Sequence, residues 1–133
     1  MTIHLVAHPY VDLVFPKVAP WLAKAVGKFT SLTLPDLLSL CSARRAFLFI
    51  DHPEEPTNAL VGQFDTRGGE SVFVVLAMGG RGGENWPKLF DAVAEFAKTY
   101  GSKAVYWEGR KGWQRVIPKA KVIKQTYRFE IGD

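Results

Sequence analysis

Gly79-Gly80-Arg81-Gly82-Gly83 stands between a continuous apolar run, Val72 to Ala77, and a stretch with helical periodicity, Asn85 to Tyr100. The apolar run is what a strand buried on both faces requires, and it predicts a strand over Ser71 to Gly79. The glycines free the backbone for turns, and for close approach to a ligand, that a Cβ would forbid. In the following stretch Leu89, Val93 and Phe96, with Phe90, Ala94 and Ala97 beside them, repeat at helical spacing up to Gly101. Asn85 is placed to cap that helix, and Pro87 suits its first turn because its missing N–H would go unpaired there. A second strand is predicted over Lys103 to Glu108, closed by a charged corner, Glu108-Gly109-Arg110-Lys111-Gly112-Trp113. The unit is therefore strand, glycine turn, crossover helix, strand, with the two strands parallel or splayed from parallel. Backbone N–H groups at a helix N-terminus behind a central strand make an anion site.

The other elements read in order around this unit. Thr2 to Ala7 is predicted as an opening strand ending at His8-Pro9. Val14, Val18, Leu22 and Val26 recur every four residues, with Phe15, Trp21 and Ala25 widening the stripe, so Val11 to Val26 should be an amphipathic helix stopped by Gly27. Thr33 and Asp36 have capping-box spacing ahead of Leu37, Leu38 and Leu40, which predicts a short second helix. Ala46 to Asp51 is a strand and His52 to Asn58 a turn. Ala59 to Arg67 is a further strand that Gly68-Gly69 turns directly into Ser71, giving an antiparallel meander. Beyond Trp113, residues up to Lys119 should form a short helix broken at Pro118, and Lys121 to Ile131 alternates as a last strand. The predicted fold class is α/β, in the order β-α-α-β-β-β-α-β-α-β, over a single domain of residues 1–133.

Composition narrows the class. A chain of 133 residues that is 47% hydrophobic can bury a core of its own. Its one cysteine, Cys41, excludes an internal disulfide framework and fits a reducing, cytoplasmic compartment. No leader or membrane-spanning run is expected. The formal charge of +4 is uneven: residues 1–97 hold eight Lys/Arg and ten Asp/Glu, residues 98–133 nine and three. Lys119, Lys121, Lys124 and Arg128 form a basic strand. A solvated face is its default reading, an acidic partner or a phosphate the sharper one, and nucleic acid the least expected.

This element order resembles the GNAT superfamily of N-acetyltransferases across nearly the whole chain, with the nearer likeness to small phage-encoded GNAT-like proteins. Gly79-Gly80, Trp86, Phe96-Ala97, Gly101 and the Gly109-Arg110-Lys111-Gly112-Trp113 corner carry the resemblance. It implies a mixed central sheet whose fourth and fifth strands splay apart to admit acetyl-coenzyme A, with the pyrophosphate on the turn before the third helix. By resemblance the coenzyme-binding residues are Ala77, Met78, Gly79, Gly80, Arg81, Gly82, Gly83, Glu84, Asn85 and Trp86. The family's loop usually reads Gln/Arg-x-x-Gly-x-Gly/Ala, whereas Glu84 and Trp86 stand here at the two glycine positions that would follow Arg81. The tyrosine that many family members carry on the fourth helix has no counterpart in Val116-Ile117-Pro118.

For catalysis, Glu108 ends the fifth strand where the splay would open, and it is the candidate base for an attacking amine. Its bland reading is a salt bridge to Arg110 or Arg115. Tyr127 is the candidate acid, with Tyr106 the other tyrosine nearby. Trp107 and Trp113 read as core or groove lining. His4 and His8 lack partners for a metal shell, so no metal is expected, and Cys41 reads as a buried small hydrophobe. Two functions follow. One is an acetyl-coenzyme-A-dependent N-acetyltransferase acting on a small-molecule or protein amine. The other is a catalytically silent GNAT-like phage protein, a binding or virion-associated module.

Overall fold

Tight turns between consecutive strands dictate how the middle of the molecule pairs. The computed structural model describes residues 4–24, 26, 32–52, 54–81 and 85–107. Strands β1 (His4–Leu5), β2 (Phe47–Ile50), β3 (Asn58–Arg67), β4 (Glu70–Gly80) and β5 (Val105–Tyr106) form one mixed sheet in that order. The first four pair antiparallel, and β5 lies parallel to β4. Gly68 and Gly69 join β3 to β4 at φ of +59° and +79°, angles that L side chains resist. The helices are α1 (Val11–Ala23), α2 (Leu34–Ser42) and α3 (Trp86–Thr99), with a 3-10 turn at His8–Tyr10 leading into α1. A parallel neighbour needs a crossover, and α3 supplies it between β4 and β5. It stops in a Schellman arrangement, with Gly101 N donating to Lys98 O at 3.0 Å and Ser102 N to Ala97 O at 3.0 Å. The element order agrees with the sequence as far as β5. The last helix, the last strand and the basic residues on it lie outside the described residues.

The first helix differs from expectation in its end and in its buried face. The first helix ends at Ala23 rather than Val26, and its buried face is Val11, Phe15, Val18 and Leu22, with Val14 only half-buried. Alternate steps of four and three keep those residues on one side at 3.6 residues per turn, whereas steps of four drift around the helix. Pro16 and Pro20 each remove a hydrogen bond inside α1, yet both lie on its exposed side while the opposite face is buried. In α2 the capping box forms as read: Thr33 N donates to Asp36 Oδ2 at 2.8 Å and Asp36 N to Thr33 Oγ1 at 3.2 Å.

The sheet is covered on both faces. Leu48, Ile50, Ala59, Val61 and Ala77 pack with the buried faces of α1 and α2 in a mainly aliphatic layer. Phe49, Leu60, Phe73 and Val75 pack with Trp86, Leu89, Phe90, Val93 and Ala97 of α3 in an aromatic one. Cys41 is buried in the aliphatic layer, where desolvation pushes its thiol up to about 11, so it is a small hydrophobe rather than a nucleophile. No helix among the described residues is long and apolar enough to cross a membrane.

Candidate functional site

β4 keeps β3 beside it from Glu70 to Gly80, but β5 pairs with it only at Phe73 and Val74. From Val75 onward that edge of β4 has no strand partner among the described residues. The other edge of β4 is irregular at the same level. Val61 pairs with Ala77 and Gly62 with Val75, so Leu76 is an extra residue, a β-bulge. A bulge bends its strand and sharpens the local twist. It also resets the alternation: Leu76 and Ala77 both face the α1/α2 layer, after which Met78 returns to the α3 side. Among the described residues, β4 beyond the bulge therefore has a strand partner on one edge only, as far as Gly80.

The two glycines that end β4 serve close approach by the chain itself. A Cβ on Gly79 would come within 2.9 Å of the Trp21 carbonyl carbon, at the end of α1. One on Gly80 would collide with Asn58 Oδ1 and the Thr57 carbonyl. The β2–β3 turn thus lies against the end of β4, and Arg81 N donates to Thr57 O at 2.8 Å.

Beneath that contact is a buried carboxylate that the sequence reading passed over. Asp51 follows β2 directly and is wholly inaccessible to solvent. Its Oδ1 accepts from Thr57 N at 2.8 Å and from Asn58 N at 3.0 Å. Its Oδ2 accepts from the Thr57 hydroxyl and, at 3.2 Å, from Asn85 Nδ2. Burial works to raise its pKa, but these hydrogen bonds, led by those from Thr57, prevail and hold the carboxyl below its ordinary value. Asp51 thereby joins β2, the start of β3 and the start of α3. The signal in the sequence was an Asp closing a strand six residues before Thr57-Asn58, a residue type that binds nearby backbone N–H groups in turns.

Asn85 departs from its expected role. It occupies the N-cap position of α3 but makes no side-chain cap; its amide goes to Asp51 instead. The donors of the first turn of α3 are therefore not taken by that side chain, as an anion site there would need. Of the other residues expected at the coenzyme, Ala77 is buried toward α1 and α2 and Met78 is half-buried against the α3 layer. Trp86 is buried, its ring 6.3 Å from that of Phe90, so it is core rather than exposed cleft wall. Gly80 and Arg81 are exposed beside the Asp51 network. Trp107 lies half-buried with its ring 4.7 Å from Phe90, and Tyr106 lies under the Arg67 guanidinium at 5.4 Å. Gly82, Gly83, Glu84, Glu108, Arg110, Trp113 and Tyr127 lie outside the described residues.

No protein-family model matches the sequence, and no characterised protein matches it by sequence. Solved structures do match. One is an aminoglycoside acetyltransferase from an uncultured soil metagenomic sample, with a TM-score of 0.70 at 12% identity over 98% of this chain and 96% of that one. A probable acetyltransferase gives 0.70 at 10% identity over the whole of both chains. A ribosomal-protein-alanine N-acetyltransferase from Brucella melitensis biovar Abortus 2308 gives 0.63 at 14% identity over 98% of each. With its mixed sheet, its antiparallel meander and the helix that crosses from β4 to the parallel β5, the chain has the fold of the GNAT N-acetyltransferases.

Proposed function

We propose that this protein is an N-acetyltransferase that takes its acetyl group from acetyl-coenzyme A and passes it to an amine. The observation that carries the reading is the bulged edge of β4 from Val75 to Gly80, which has no second strand partner among the described residues. An extended substrate arm bearing amide groups can pair with such an edge as an added strand does. A pyrophosphate at the end of that arm would meet the turn from Gly80 to Trp86 and the first-turn donors of α3. The fit is of backbone to substrate, so it tolerates a loop that departs from the family's usual residues. Ala77, Met78 and Gly79 would then lie alongside the thioester, with Gly80 to Trp86 around the phosphates.

The chemistry asks for two proton transfers. As the amine nitrogen attacks the thioester carbonyl it must lose a proton, and the C–S bond breaks to release a thiolate that must gain one. Glu108, two residues past the end of β5, takes the first role in this proposal and Tyr127 the second. A positioned general base contributes about 10²- to 10⁴-fold. Glu108→Gln should lower turnover on that scale, with a smaller loss at high pH, and leave coenzyme affinity within about twofold.

The reading is tested by titrating the protein with acetyl-coenzyme A in a calorimeter and then assaying transfer to a panel of amines. The panel includes aminoglycosides and alanine-containing ribosomal-protein peptides, after the names of two structural neighbours. Binding with transfer supports the enzyme. Binding without transfer to any amine favours the silent binding module, and no binding at millimolar coenzyme removes the acetyltransferase reading.

A further inference from the structure

β3 runs on past the strand beside it. Pairing with β2 stops at Phe47 and Gly62, because the chain just before Phe47 is drawn to α2: Arg45 N and Ala46 N donate to Leu40 O at 2.9 and 3.1 Å. From Gln63 to Arg67, β3 therefore has β4 on one edge and no strand partner on the other among the described residues. We infer that this open edge is a strand-pairing surface for a second copy of the chain, and that Asp65 keeps it closed. The inference is independent of the acetyl-transfer reading.

The hydrogen bonds of β4 show which groups the edge presents. Phe73 N donates to Ala104 O and Ser71 O accepts from Lys103 N, so both residues turn their backbone groups away from β3. Opposite them in register stand Phe64 and Thr66, whose N–H and C=O groups consequently point out of the open edge. The α3 side of that edge is aromatic and accessible. Phe64 is 36% and Tyr100 66% exposed, with their rings 5.7 Å apart. Outward donors and acceptors bordered by apolar surface are what an added strand uses.

Asp65 opposes that pairing in two ways. Its Oδ1 accepts from Thr66 N at 2.8 Å and so occupies an outward donor. It also stands midway between the two outward residues. Antiparallel pairing that uses both of them sets Phe64 against Thr66 of the second copy, and this places Asp65 directly opposite its own counterpart. Such a pair, between two hydrogen-bonded ones, has its side chains close together, and like charges there are destabilising. Arg67 lies 3.9 Å from Asp65, but its guanidinium is also drawn over Tyr106 on β5, across the sheet from the open edge. A register shifted by two would set Asp65 against Arg67 of the second copy. Phe64 would then face Gly68, in the turn at φ +59°, and only Thr66 would pair within the strand. The favourable charge pairing thus forfeits most of the backbone pairing.

The experiment uses the full chain as wild type, Asp65→Thr and Asp65→Thr/Thr66→Pro. Asp65→Thr removes the cap and the like charge while keeping a residue suited to a strand. Thr66→Pro removes an outward N–H and leaves the ladder to β4 intact, because Thr66 does not bond to β4. Sedimentation velocity over a concentration series and amide exchange along β3 are measured together. Wild type should sediment as a monomer at micromolar concentration. Asp65→Thr should dimerise at least about tenfold more tightly, with exchange slowed at Phe64 and Thr66 and unchanged at the intervening residue 65, whose N–H already faces β4. The double variant should return to a monomer. An Asp65→Thr protein that stays monomeric overturns the proposal. So does a wild type already paired with Phe64 and Thr66 protected, since Asp65 would then close nothing. A dimer that survives Thr66→Pro, or forms without slowing exchange at Phe64 and Thr66, lies elsewhere on the molecule and overturns it as well.

Discussion

The two halves of β4 are built for different work. From Glu70 to Val74 the strand has β3 on one edge, and β5 joins it on the other at Phe73 and Val74; Val72 and Phe73 are wholly buried. From Val75 to Gly80 it keeps β3 alone among the described residues, its side chains dwindle to Ala77, Gly79 and Gly80, and the polar network of Asp51 lies beside its end. A strand edge without a partner is normally a liability. Here the lower half anchors the strand in the aromatic core, and Asp51 braces the turn that packs on its tip. The upper half is thereby held at its tip although it has one strand partner only among the described residues. In the acetyltransferase proposed above, stability and binding would divide along this single strand, with the bulge at Leu76 as the boundary.

The comparison breaks first at Phe73. Its ring lies 5.1 Å from Phe64, 6.1 Å from Phe96 and 6.3 Å from Phe49, and Gly62 leaves room for it on β3. Phe73→Ala should cost about 3–5 kcal/mol, a large part of the roughly 5–15 kcal/mol by which a domain is stable. Denaturant unfolding measures it. A loss under about 1 kcal/mol would mean that the lower half is not the anchor.

The upper half should respond in the opposite manner. Gly80→Val drives its side chain into Asn58 and the Thr57 carbonyl, and overpacking of that kind costs about 1–3 kcal/mol. Its larger effect should be on the coenzyme, since the connection to α3 moves with the displaced turn. Calorimetry should show affinity lost in Gly80→Val well beyond anything seen in the folded fraction of Phe73→Ala. Equal losses in the two would erase the division between the halves.

What the sequence revealed of this division follows from how local each cause is. Gly68-Gly69, the Thr33–Asp36 capping box and the Gly101 stop are signals a few residues long, and each appears where it was read. The meander and crossover followed from turn lengths and apolar runs. The bulge did not, because Leu76 in an unbroken apolar run gives no sign that it will be the unpaired residue; pairing with β3 decides that. Nor did the Asp51 network, whose members stand at positions 51, 57, 58 and 85. Asn85 looked like a helix cap because capping is the local use of an asparagine there. A buried carboxylate brought up by the fold accepts from Nδ2 and turns the side chain toward Asp51, and Oδ1, the atom that would cap, makes no bond to the first turn.

Acidity sharpens the comparison further. The folded-state pKa of Asp51 lies below its ordinary value, so the ionised group stabilises the fold above the unfolded-state pKa of about 3.9. That contribution is lost as pH falls through the lower, folded value. Asp51→Asn should therefore cost about 1–3 kcal/mol at neutral pH, with buried donors left facing an amide. The gap to wild type should narrow as pH falls below about 4. Unfolding curves at a series of pH values test this, and a gap that does not change with pH would mean that the charge of Asp51 contributes nothing.

The smallest effect is expected where neither half of β4 is touched. Thr33 caps α2, whose Leu37 and Cys41 are buried in the aliphatic layer on the face of the sheet away from α3. Thr33→Ala removes the hydroxyl that accepts from Asp36 N and should cost about 1 kcal/mol. The carboxyl of Asp36 is held below its ordinary value first by the Thr33 backbone N–H and then by the Thr33 side chain. The backbone donor survives the substitution, so the Asp36 pKa should rise only part of the way back, a shift that an NMR titration resolves. Coenzyme affinity and amide exchange at Arg81 should match wild type, because the described bonds of Asp51 go to Thr57, Asn58 and Asn85 and not to α2. If this remote loss of stability also weakened coenzyme binding, the effect at Gly80 would reflect stability in general rather than a site built on the upper half of β4.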